Sequence, residues 1–259
     1  MWLASQRLRP RLVARLGERG FFVLFSLVAA GLWALLVNRY AVYRFDGPPG
    51  LGLGSTPFLR WPLVTLATGG ITLAGAGIVA YPRLPSALFN QPIRTPYGIE
   101  RISRHPVFAG FAVFSIAHVF LVTHLVSTVF FAGLTVLAIV GARLQDGKLA
   151  ARRGDAYTAH LARTSFWPFA AQFRGEPLMA SELPWYALAA SFLVALCFRR
   201  VHASLFAHDG SWVILALLAG AAMASLNAWR RARRQRALGH VPGLADSPAE
   251  ADRGRELFG

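Results

Sequence analysis

The stretch that decides the fold runs from Ile102 to Ala171. It opens Ile102-Ser103-Arg104-His105-Pro106, crosses an apolar hairpin carrying His118 and His124, and closes on Arg163-Thr164-Ser165-Phe166-Trp167-Pro168-Phe169-Ala170-Ala171. From Pro106 to Ala142 the chain holds no Asp, Glu, Lys or Arg. Histidines in so apolar a run are costly unless they have a role, because a membrane interior offers them no water. Pro106 suits the first turn of a helix, where its missing N–H is no loss. The run therefore divides into a third span, Pro106 to about His124, and a fourth, about Leu125 to Leu144, joined as a tight hairpin.

Composition agrees with a chain that lives in lipid. Of its 259 residues 55% are hydrophobic and only 15% charged, with mean hydropathy +0.44, whereas soluble domains carry about 25% charged residues. The net charge of +15 would suggest nucleic acid in a soluble protein. Here the arginines flank apolar runs and leave no long solvated basic face, so nucleic acid is not expected as a partner. Membrane orientation and anionic lipid headgroups account for the charge. Cys197 is the lone cysteine, which excludes an intrachain disulfide and a cysteine-based zinc site.

Outward from the hairpin the same logic predicts an all-α bundle of about six spans. Residues 1–20 form a basic arm whose Leu8, Leu12, Val13 and Leu16 recur at helical spacing among arginines, the pattern of a helix lying on a membrane surface. The first span is about Phe21 to Tyr43, retained as a span because Asn38-Arg39-Tyr40 offers no small-residue cleavage site. A Gly/Pro loop follows. The second span, about Trp61 to Tyr81, presents Gly70, Ala74 and Gly77 on one side, which lets another helix approach closely. The polar segment Gln145 to Glu182 is expected to hold one short helix with Lys148, Arg152, Tyr157 and Leu161. A fifth span, about Leu183 to Phe198, and a sixth, about Trp212 to Trp229, complete the transmembrane domain (21–229). Residues 230–259 read as a basic, then acidic, disordered tail. With six spans, the arm, the Arg83–Arg104 loop, the Arg143–Arg174 segment and the tail all fall on one side. The excess of arginine makes that side cytoplasmic, with both termini inside.

This topology separates the histidines. His118 lies thirteen residues beyond His105, about 20 Å along a helix, so the two cannot serve one small site. An inner candidate site gathers Arg104 and His105 with Arg163 as candidate catalytic residues. An outer one gathers His118, His124 and His202 as candidate cofactor ligands, His118 being the candidate metal ligand. His160, His208 and His240 fall in polar stretches and read as solvated. The Arg163–Ala171 string reads as a lid over the inner site. Its rings Phe166, Trp167 and Phe169 suit an interface, and Arg163 is placed to reach Asp146, Glu100 or a phosphate.

Arg104-His105-Pro106 followed by Gly110, then Ala117-His118, then Arg163-Thr164-Ser165-x-x-Pro168-Phe169-Ala170-Ala171 and Phe173-x-Gly175 resembles the NnrU family. The similarity extends through Leu3-Ala4-Ser5-x-Arg7, Gly17-Glu18-Arg19 and Arg44-Phe45-Asp46-Gly47, and on to His202. That family includes the cis-zeta-carotene isomerases of plants and cyanobacteria, and its name refers to nitrite and nitric oxide reductase functions in denitrifiers. The resemblance implies a bacterial inner-membrane protein in a lipid environment with a hydrophobic small-molecule substrate. The isomerase branch implies haem b held through histidines, and His118 matches one such position. The family pattern places a further span with a histidine ahead of Leu3-Ala4-Ser5, whereas this sequence opens at Met1-Trp2 within that motif, and Tyr43 stands where the isomerases have a histidine. Arg-His-Pro is shared more widely, with isoprenylcysteine carboxyl methyltransferases, and implies S-adenosylmethionine as the alternative cofactor. Asp146 sits where those enzymes place acids, without their paired glutamates. A non-catalytic assembly role is the third reading.

Overall fold

The computed structural model describes residues 8–80, 95–206, 211–213 and 215. Among these the regular structure is helical: α1 (Leu8–Tyr43), α2 (Pro57–Ala80), α3 (Pro106–Leu121), α4 (Leu125–Arg153), α5 (Asp155–Arg163) and α6 (Trp185–Arg200), with a single turn at Ile99–Ile102. Among the described residues three helices are long and apolar enough to cross a bilayer, Val23–Tyr43, Pro57–Ala80 and Leu125–Arg153. The third and fifth expected spans form helices of 16 residues each, about 24 Å at 1.5 Å per residue. The sixth lies largely outside the described residues, as does the tail.

The chain divides into two compact units. The first is built on α1, which breaks at Gly17 (φ 71°, ψ 166°). A positive φ suits glycine because it has no Cβ to clash, so α1 is two helical segments that meet at Gly17. At the far end of α1, Tyr40 packs edge-on to Phe206 at 4.9 Å and Arg44 lies 5.6 Å over the same ring.

The second unit carries the hairpin. Its centre is a helix contact too close for any side chain larger than hydrogen at two positions. A Cβ at Gly110 would lie 2.5 Å from the Ala74 nitrogen and from the Gly70 carbonyl oxygen, and one at Gly70 would lie 2.6 Å from the Phe114 nitrogen. The Gly70, Ala74 and Gly77 face of α2 thus receives α3, the use of small residues that lipid-embedded helices favour. On the other side of α2, Ser191 of α6 approaches Gly75, while Phe108 of α3 abuts Gly141 of α4. Leu73, Ala76, Ile99, Ile102, Ala109 and Ala187 form the buried apolar cluster where these elements meet.

The third helix is shorter, and the hairpin turn longer, than expected. α3 stops at Leu121, so His124 lies outside it and caps α4 instead. The Gly/Pro loop laces onto this turn: Gly50 N–H donates to the Thr123 carbonyl (2.8 Å), Gly52 N–H to Val122 (3.0 Å), and Leu125 N–H to Pro48 (2.9 Å). The single short helix expected in the polar segment is two pieces. α4 runs on to Arg153, carrying Lys148 and Arg152, and Gly154 (φ 54°) turns the chain into α5 with Tyr157 and Leu161. At 29 residues α4 exceeds the roughly 20 needed for a bilayer. Its apolar part ends at Leu144, so Gln145 to Arg153 projects beyond the hydrocarbon.

Candidate functional site

The start of α3 gathers an acid, a histidine, an arginine and a tyrosine. Asp146, two residues past the apolar part of α4, is the centre. Arg104 donates to its Oδ2 from Nε (3.0 Å) and Nη2 (2.8 Å), while Oδ1 accepts from Tyr157 Oη (2.5 Å) and lies 2.6 Å from His105 Nε2. Each element has a local reason to deliver its residue. Pro106 begins α3 and leaves His105 at the cap position, buried to 5% exposure. The Gly154 turn folds α5 back so that Tyr157, eleven residues on in sequence, faces the helix it left.

The Asp146 side chain is itself only 15% exposed. Burial alone would raise its pKa, but hydrogen bonds from His105, Arg104 and Tyr157 outweigh burial and hold the carboxyl well below the usual carboxylate range. An ionised carboxylate can only accept, so His105 Nε2 carries the proton in this contact.

The return string wraps this centre mainly through its backbone. Arg104 N–H donates to the Ser165 carbonyl (2.9 Å), Phe169 N–H to Ile102 (3.0 Å), and Ser103 Oγ to Phe166 (2.7 Å). Ser103 Oγ in turn accepts from His105 N–H at 3.2 Å. Beside it, Arg101 meets Glu182 in a two-pronged pair, Nε to Oε2 at 2.7 Å and Nη2 to Oε1 at 3.2 Å. The hydrogen bond from Arg101 holds the Glu182 carboxyl below its ordinary range.

Arg163 departs from the sequence expectation. It pairs with Glu176 at 3.6 Å and is 46% exposed, and the carboxylate of Asp146 is taken by Arg104 instead. The reason is the turn at Gly154: it commits α5 to bring Tyr157 onto Asp146, and Arg163 at the helix end is left facing the solvent side.

Of the outer histidines, His118 occupies the last turn of α3. Its Nδ1 lies 2.9 Å from the Phe114 carbonyl; a carbonyl only accepts, so Nδ1 carries a proton in this contact. Phe114 (4.2 Å) and Phe131 (4.5 Å) flank the imidazole. An imidazole in an apolar setting is the kind of side chain that would hold a haem. His124 instead contacts the Thr123 hydroxyl at 2.9 Å and the edge of Phe45, and His202 belongs to the first unit. Among the described residues no three His, Cys, Asp or Glu side chains are grouped to hold a metal ion.

Sequence reasoning named Arg104 and His105 but missed that Asp146 and Tyr157 complete the group. Asp146 was legible as the first acid after the long uncharged run. Tyr157 could be placed only once the break at Gly154 was known.

The apolar helices and close-packed glycine contact define a helical membrane protein with polar side chains gathered at one end of its hairpin. Residues 1–209 match the family described as NnrU protein, and the chain belongs to that family. It is 28% identical over 192 residues to the chloroplastic 15-cis-zeta-carotene isomerase of Arabidopsis thaliana, covering 68% of this chain and 50% of the relative. The Zea mays enzyme of the same name is 27% identical over 174 residues, covering 64% and 45%. The chain thus spans about half the length of the curated relatives it matches. No solved structure matches it significantly.

Proposed function

We propose that this protein is a membrane enzyme of isomerase type, acting on a long conjugated hydrophobic substrate such as a cis polyene and using haem b held by His118. The observation that carries the reading is the His118 ring, held at Nδ1 by the Phe114 carbonyl and flanked by two phenyl rings. The names of the plant relatives supply the substrate class. A haem bound there would supply redox-dependent interaction with a conjugated chain, lowering its barrier to rotation. The chain's own contribution is to fix the ligand nitrogen and to keep the region apolar. The Asp146 group anchors the other end of α3, setting the position of the helix that carries His118. Arginine asymmetry favours a bacterial inner membrane with both termini in the cytoplasm.

The test is turnover. Purified protein, reconstituted with haem in lipid, is incubated with a cis polyene and the isomers are resolved by chromatography. Conversion that is lost in His118→Ala supports the proposal; equal conversion by that variant ends it. S-adenosylmethionine binding is the competing outcome. Asp146, the acid in the methyltransferase-like position, is already engaged by three partners, which leaves it poorly placed to clamp a second ligand.

A further inference from the structure

We propose that the return string is a membrane-docking element, its outward aromatic rings seated among the headgroups of anionic phospholipid at the mouth of the hairpin. Three observations converge on this segment. First, its rings divide by side. Phe166 packs against the buried cluster, whereas Trp167 is 43% exposed, Phe169 46%, and Phe173, in the turn Gln172–Arg174 directly after the string, 91%. Exposed rings this closely spaced are an unfavourable surface in water, while aromatic rings favour the membrane interface.

Second, the backbone holds the rings outward. Phe169 has φ 63°, the one positive φ outside glycine among the described residues, in a region where bulky side chains are rare. Its N–H is tied to the Ile102 carbonyl and its carbonyl accepts from Gln172 N–H at 3.1 Å. The local fold keeps an unfavourable conformation and leaves the ring outside the core, an arrangement that an outside partner would make favourable.

Third, the location and charge match a bilayer surface rather than a soluble partner. The string bonds directly to Ile102, Ser103 and Arg104, the residues just before α3 enters its apolar run, so it stands at headgroup level. From Arg143 to Glu176 the chain carries six cations, Arg143, Lys148, Arg152, Arg153, Arg163 and Arg174, against three acids. Cations near an anionic leaflet each add about fivefold to association.

The experiment uses full-length protein in vesicles. In a Cys197→Ser background, since Cys197 is exposed, Phe173→Cys and separately Trp167→Cys are labelled with an environment-sensitive fluorophore. Both side chains point outward, so the fold is retained. Quenchers carried at graded depths in the lipid compete with aqueous iodide, in phosphatidylcholine vesicles with and without phosphatidylglycerol. The expected result is blue-shifted emission quenched best by headgroup-level quenchers, strengthened by phosphatidylglycerol, with iodide weak at both positions. Iodide dominating at Phe173 overturns the docking element. Lipid quenching that is indifferent to phosphatidylglycerol overturns the anionic preference.

Discussion

Asp146→Asn is the sharpest perturbation of the polar centre. The substitution keeps the shape of the side chain but removes its charge and turns one acceptor oxygen into a donor. Either orientation then sets an N–H₂ against donors: the Arg104 guanidinium 2.8–3.0 Å away on one side, or Tyr157 Oη and His105 Nε2 at 2.5 and 2.6 Å on the other. Hydrogen bonds to a charged group contribute about 1.5–3 kcal/mol each, and breaking a buried charge pair costs about 3–5 kcal/mol. Since Asp146 retains some exposure and the tyrosine can rotate, about 3 kcal/mol is the expected loss. For a chain of this size that lowers the melting temperature by roughly 6–12 °C, read from tryptophan emission in detergent. Tyr157→Phe, which leaves Arg104 and His105 in place, should lose less, about 1.5 kcal/mol. The pH dependence has a definite sign. Because the folded carboxyl is held below its ordinary value, its stabilisation is present above the unfolded pKa of about 3.9 and lost as pH falls through the folded value. The gap between wild type and Asp146→Asn should therefore be constant at neutral pH and narrow below about pH 4. An Asn variant melting within about 2 °C of wild type would refute the reasoning that this carboxylate ties α3, α4 and α5 together.

Other substitutions test the frame around it. Gly110→Ala places a Cβ 2.5 Å from α2 backbone; it should lose about 1–3 kcal/mol as the helices part, visible as a lower melting temperature, whereas Gly133→Ala, with nothing within 4 Å, should be neutral or slightly stabilising. Arg101→Lys removes the fork on Glu182 and should increase proteolysis between α5 and α6, while Arg163→Gln, whose pair is long and exposed, should leave the melting curve unchanged. A reporter fused after Gly259 should report the cytoplasm; a periplasmic signal would contradict the arginine-based orientation.

The parts of this molecule that were legible in the sequence are those set by local physics. Apolar length marks the helices, and Gly70, Ala74 and Gly77 mark the face on which α3 packs. The errors lie where tertiary contacts decide. His124 was drawn into α3 because Val122 and Thr123 are apolar or small, yet the loop at Pro48–Gly52 captures their backbone and ends the helix early. Charge alone left Asp146, Glu100 and a phosphate open as partners of Arg163, and it pairs instead with Glu176. Arg104, just ahead of the His105 cap of α3, takes Asp146 with both Nε and Nη2. The positive φ of Phe169 could not be anticipated, since a phenylalanine flanked by Pro168 and Ala170 carries none of the usual signs of a left-handed turn.

The central claim is that His118 is the haem ligand of a membrane isomerase, and the most direct measurement is the absorption spectrum of haem-reconstituted protein. A b-type Soret band is expected that is retained in His124→Ala and lost or strongly weakened in His118→Ala, with Phe131→Leu shifting the band by loosening the flanked ring. A protein that stays colourless with ample haem, or a Soret band unchanged in His118→Ala, would contradict it.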